Sequence, residues 1–214
     1  MIEYTRHLEE YATYPFSSFS SLVPDNIWGN KELAEKYLNK YWLLDNEYKS
    51  IWKPIQDKIF IQQKRLPDIV FSPLYKMLIG RGGCLFDKKD FERLKKVMIN
   101  IGETEFVIIQ NTQDFTSGEP MFRMKFPTKI TWEELMSGNY ISAVLFEMNY
   151  NEYFVFGTSG KWGRYSATDF ENPMNLIGFI PEYLSIFSYQ FEQSKEEKEE
   201  IVRWLPPKYK EIIE

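Results

Sequence analysis

The chain has 214 residues, 43% of them hydrophobic and 27% charged, with a net charge of -5, a size and balance that bury a core without covalent staples. A lone cysteine, Cys84, excludes an intramolecular disulfide, and a lone histidine, His7, argues against a histidine-based metal site. No segment approaches the ~20 apolar residues that span a bilayer, and Met1-Ile2-Glu3-Tyr4-Thr5-Arg6 lacks the basic-then-apolar pattern of a signal peptide, so the expected location is the cytoplasm.

Residues 1–30 read as an irregular, Ser-rich and aromatic arm, punctuated by Tyr14-Pro15-Phe16 and Val23-Pro24-Asp25. Leu33, Tyr37, Tyr41, Leu44 and Tyr48 recur at helical spacing behind a capping Asn30. A second helix is predicted over 51–63, with Pro54 tolerated in its first turn. Pro67 and Pro73 bracket a connector, a short helix is expected from Leu74 to Ile79, and Arg81-Gly82-Gly83-Cys84 reads as a turn. Asp87 then caps a helix whose stripe is Phe91, Leu94, Val97, Met98 and Ile101, ended by Gly102.

Beyond Gly102 the period shortens. Strands are predicted over 106–109, 121–126, 141–148, 153–156 and 164–167, with a polar loop from Asp114 to Pro120 and a turn at Asn149-Tyr150-Asn151-Glu152. Thr131-Trp132-Glu133-Glu134 has the form of a capping box and starts a short helix that ends near Gly138. Pro181 opens another helix to about Phe191, and residues 195–214 form a charged helix and a tail separated by Pro206-Pro207. Helices, then an antiparallel meander of about five strands, then helices define an α+β protein, read as one domain over 1–214.

Few groups here suit covalent chemistry. Gly157-Thr158-Ser159-Gly160-Lys161 is rich in glycine and ends in lysine, but the phosphate loop needs four residues between its glycines and Ser/Thr after the lysine, where Trp162 stands; a hairpin turn is expected instead. Ser159 lacks the spacing of a nucleophile elbow and has no nearby base. Cys84 lies close to Arg81, Lys88 and Lys89, which would lower a thiol's pKa, yet beside Leu85 and Phe86 it reads better as a small apolar residue. The acids Asp87, Asp90, Glu133 and Glu134 suit helix N-termini, and Glu196, Glu197, Glu199 and Glu200 alternate with lysines on a solvated face. Lys88, Lys89, Arg93, Lys95 and Lys96 surround an apolar stripe rather than form a ridge for nucleic acid. No catalytic residue, metal ligand or cofactor site is therefore assigned, and neither nucleic acid nor membrane is expected as a partner.

Charge is unevenly spread. Residues 1–100 carry 16 Lys+Arg against 13 Asp+Glu, whereas 101–214 carry 10 against 18, a net of -8 that favours a basic partner. Aromatics reach 17%, and some are expected at a contact surface. Trp162, Arg164, Tyr165 and Asp169, on and beyond the Gly-rich turn, are the candidate partner-binding residues.

The segment Tyr153-Phe154-Val155-Phe156-Gly157-Thr158-Ser159-Gly160-Lys161-Trp162-Gly163-Arg164-Tyr165, with Phe179-Ile180-Pro181-Glu182-Tyr183-Leu184-Ser185-Ile186-Phe187 after it, resembles the strand, Gly-rich turn, aromatic strand and closing helix of the SUKH-type bacterial immunity proteins. The likeness covers residues 140–190. It implies a stoichiometric inhibitor of a toxin, binding it directly without chemistry of its own. The expectation is thus a non-catalytic protein-binding module, with a basic toxin domain as the partner. The alternative is an enzyme or small-ligand protein whose site is scattered along the chain; a deep pocket with convergent polar groups would mark it.

Overall fold

The computed structural model describes residues 3–5, 8, 31–81, 85–111, 122–138, 141–142, 152–167 and 174–213. Six strands pair in one antiparallel sheet: β1 Lys76–Arg81, β2 Glu105–Gln110, β3 Arg123–Pro127, β4 Tyr153–Gly157, β5 Trp162–Ala167 and β6 Met174–Phe179. Their spatial order is β1-β6-β5-β4-β2-β3. The helices are α1 Lys31–Tyr41, α2 Asp45–Glu47, which runs through a π-helical turn Tyr48–Trp52 into α3 Lys53–Ile59, then α4 Lys88–Asn100, α5 Trp132–Leu135, α6 Leu184–Gln190, α7 Lys195–Trp204 and α8 Pro207–Ile213. The class is α+β, as expected, with six strands rather than five.

Apolar side chains pack against both faces of this sheet. On the first face Phe106, Ile108, Tyr153, Val155, Trp162, Ile177 and Phe179 meet α1, α4 and α6. On the second Val107, Ile109, Phe154, Phe156, Tyr165 and Leu176 meet the π-helical turn, α3, the 60–75 connector and α7. Alternation along each strand sends successive residues to opposite cores. The α4 stripe of Phe91, Leu94, Val97 and Met98 is buried as its spacing predicts, each side chain contributing roughly 1.5–3 kcal/mol relative to exposure.

At the β1–β6 edge one sequence expectation fails and one strand goes unpredicted. Leu74 to Ile79 is not a helix: Lys76–Arg81 extends and pairs with β6, from Lys76↔Phe179 to Arg81↔Met174. Short apolar runs carry no period that separates helix from strand, and the ladder with β6 decides this one. Strand β6 itself escapes a polar/apolar search because all six of its residues are buried. Gly178 of β6 lies opposite Gly163 of β5, and the missing side chains make room for the rings of Phe71 and Phe60. A Cβ on Gly178 would stand 2.3 Å from Phe71 Cδ1, and one on Gly163 2.7 Å from Phe60 Cζ.

Other differences are local. Helix α1 stops at Tyr41, and Leu44 is 56% exposed instead of continuing the stripe. Ile141 and Ser142, read as the start of a strand over 141–148, are helical; 143–148, the 114–120 loop and turn residues 149–151 lie outside the described residues. The stretch after Pro206 is helix α8, whose Tyr209 is fully buried and donates to Asp68 O at 2.9 Å. Lys208, the larger influence, and Lys64 hold the Asp68 carboxyl below its ordinary range.

Within the arm expected to be irregular, Tyr4 and Leu8 are buried in the first core and joined by a helical hydrogen bond, Leu8 N to Tyr4 O at 2.9 Å. Glu3 reaches Arg123 of β3, whose Nη2 donates to Glu3 Oε2 at 2.8 Å. The Arg123 side chain is only 2% exposed. It also donates to Leu43 O, lies 3.4 Å from Asp45 Oδ1, and sits over the rings of Trp42 and Tyr48 at 5.7 and 5.6 Å.

Burial pushes the phenols of Tyr37, Tyr48, Tyr165 and Tyr209 well above their ordinary pKa, and that of Tyr75 up to about 12. A folded-state pKa above the unfolded value of about 10 means that, above that pH, the unfolded chain has lost a proton the folded chain keeps. Stability is therefore fully present below pH ~10 and falls as pH rises toward the folded pKa, by about 1.4 kcal/mol per pH unit for each such tyrosine. Urea unfolding between pH 8 and 11 should show a flat region followed by this decline, in step with a delayed ultraviolet titration of tyrosinate.

Candidate functional site

On the first face, beside β1, the first turns of α4, strands β1, β5 and β6 and the connection from α6 to α7 line a half-open cavity of about 580 Å³, within the size range of small-molecule sites. Its charged lining, among the described residues, is Arg164, Lys89 and Arg93 together with Asp87, Asp90, Glu192 and Glu197. Arg164 comes from the middle of β5, opposite Ile177 of β6, and its side chain is 1% exposed. Its Nη1 donates to Asp90 Oδ2, and its guanidinium lies 4.9 Å over the Phe86 ring. Its Nε is buried without a hydrogen-bond partner, a costly state for a charged group.

The local sequence explains how these groups converge. Asp87 adopts extended backbone and accepts from Asp90 N at 2.7 Å, capping α4. That cap fixes Asp90 in the first turn, with its carboxylate on Arg164, and Lys89 and Arg93 follow at helical spacing on the same cavity. Across the opening, Gln193 Nε2 donates to Ile79 O of edge strand β1 at 2.7 Å. Ser194 starts α7 with a full capping box to Glu197.

Of the described residues expected at a contact surface, only Arg164 reaches the cavity. Trp162 and Tyr165 are fully buried, on opposite faces of the sheet, and offer no surface to a partner; the two-sided packing of β5 accounts for it. Tyr165 Oη accepts from Leu66 N at 3.4 Å. Asp169, His7 and Cys84 lie outside the described residues. The basic run on α4 is divided among separate tasks: Lys88 pairs with Glu133 at 2.9 Å, Lys95 donates to Ile130 O at 2.7 Å, and Lys89 and Arg93 line the cavity. No group of three or more His, Cys, Asp or Glu among the described residues is arranged to hold a metal ion.

The Gly-rich segment is the hairpin turn between β4 and β5, with Gly160 at φ +60°. Its donors are engaged by an acid from elsewhere in the chain. Helix α4 ends in a Schellman motif: Gly102, at φ +80°, donates to Ile99 O at 3.1 Å, and Glu103 donates to Met98 O at 2.8 Å. This delivers the Glu103 carboxylate, buried at 6% exposure, into the turn. There it accepts from Thr158 Oγ1 at 3.0 Å, Ser159 N at 3.2 Å, Ser159 Oγ, and Trp162 Nε1 at 3.0 Å. Gly157 leaves the space this needs, since a Cβ there would fall 2.3 Å from Glu103 Cδ.

Nothing in the sequence around Glu103 announces this role. Its only signal is position, directly after a helix-ending glycine. Glu103→Gln replaces an acceptor-only carboxylate by an amide whose NH2 faces donors, and should cost about 2 kcal/mol in urea unfolding. At the cavity, Asp90→Asn strands the buried guanidinium and should cost about 3 kcal/mol. Arg164→Met, which leaves Asp90 free to turn to water, should cost less than half as much by the same measurement. Comparison with known protein families, curated proteins and solved structures finds no match to this chain.

Proposed function

We propose that the chain is a non-catalytic protein-binding module, acting as an immunity protein that holds a basic toxin domain by direct contact. The observation that carries this reading is the placement of acid along α7. Glu196, Glu197, Glu199 and Glu200 are exposed on a helix bordering the cavity, in the half of the chain that bears net charge -8. Such a field speeds encounter with a basic partner and sets its orientation. The strand, turn, strand and closing helix on which the SUKH-type resemblance rests lie together, β4 pairing with β5 and Phe179 stacking on Phe187 at 4.6 Å. A second reading, a small-ligand protein, draws its support from the cavity over Arg164.

The test is co-expression with the toxin domains encoded beside this gene. One of them should lose toxicity when the chain is present and form a stable complex with it. The double variant Glu199→Lys/Glu200→Lys should slow association by about tenfold at low salt, and the difference should shrink as salt is raised. Failure of every such domain to bind the wild-type chain would remove this reading.

A further inference from the structure

We infer that helix α7 is a hinged lid, which Gln193 latches onto the outer edge of β1 and along the cavity beside it. The inference stands apart from the toxin reading, since it concerns how the chain covers its own sheet.

The two edges of the sheet are closed in different ways. At β3 the cover is fixed: Leu43 N donates to Arg123 O at 3.2 Å, and Pro127 has no N–H to offer. At β1 the cover is lighter. Ile180 N donates to Lys161 O at 2.9 Å, so along β6 the backbone groups of Phe179, Ile177 and Asn175 turn toward β1. Lys76, Leu78 and Gly80 meet them. The N–H and C=O groups of Met77, Ile79 and Arg81 therefore face away from the sheet. Among the described residues, one hydrogen bond reaches these outward groups, from Gln193 Nε2 to Ile79 O at 2.7 Å. Ile79 is nonetheless only 5% exposed. The chain passing from α6 on the first face to α7 on the second crosses the edge at this residue.

Helix α7 is lightly held. It runs between two extended residues, Ser194 and Leu205. Of its described side chains only Ile201 is buried, and Lys195 to Glu200 are all exposed. A helix with so little buried apolar surface opens at low cost while its flanks stay in place. Those flanks are firm: Phe187 stacks on Phe179 before it, and Leu205 and Tyr209 are buried after it. Glu192, Gln193 and Glu197 also line the cavity, so outward movement of α7 widens the cavity as it uncovers β1. A strand edge uncovered in this way is a template for a further strand.

Amide hydrogen exchange of the 15N-labelled chain, read residue by residue by NMR, tests the lid. The Ile79 N–H faces outward and is shielded by the crossing chain, whereas the amides of Leu78 and Gly80 face β6. Gln193→Glu and Gln193→Leu both remove the donor to Ile79 O, on a side chain that is partly exposed. In each variant the Ile79 amide should exchange about fivefold faster than in the wild-type chain, with Leu78 and Gly80 unchanged. The pair of variants separates loss of the donor from a change of charge. Unshielded exchange of the Ile79 amide in the wild-type chain, an unchanged rate in either variant, or equal acceleration at Leu78 and Gly80 would overturn the inference.

Discussion

A sheet covered on both faces dictates most of this structure. Every residue of β4, β5 and β6 is buried, so each strand must present apolar surface in two directions. The polar groups it carries must also find partners within the fold. Arg164, Ser166 and Asn175 are such groups. The glycine pair Gly163 and Gly178 is the steric counterpart, since the second face accepts Phe60 and Phe71 only where two strands give up their side chains together. The helical layers depend on this platform, and the cavity exists where they fail to meet beside β1.

The Gly-rich turn shows how a motif can be chemically correct and functionally closed. Its hydroxyls and N–H groups do gather around an anion, as such turns do. The anion is Glu103, supplied by the chain. The turn is thereby fixed to the end of α4, which also carries the cavity's cations at its other end. One helix therefore links the closed turn to the cavity beside β1.

Legibility in the sequence followed the physics of each element. Asp87, Thr131 and Gly102 announce helix ends because capping is local, and all three sit as expected. The α4 stripe is equally plain, since one face of a helix against one core leaves a clean period. Strands β1 and β6 were hidden for different reasons: β1 is a short run at an edge, and β6 is buried on both faces, so it lacks polar/apolar alternation. The cavity was least legible. It joins Arg164 to residues 71 and more positions earlier in the chain, and no spacing rule spans such a loop. Trp162 and Tyr165 were misplaced because large rings next to a turn suit an interface and a core alike.

The salt link between Glu3 and Arg123 makes the first residues of the chain structurally expensive to alter. The guanidinium of Arg123 is desolvated between two rings, and Glu3 is the closest carboxylate to it among the described residues. Proteolytic trimming past Glu3, or a bulky fusion that pulls it away, would leave Arg123 leaning on the more distant Asp45 at the rim of β3. Displacing Glu3 is thus not a neutral change to this molecule.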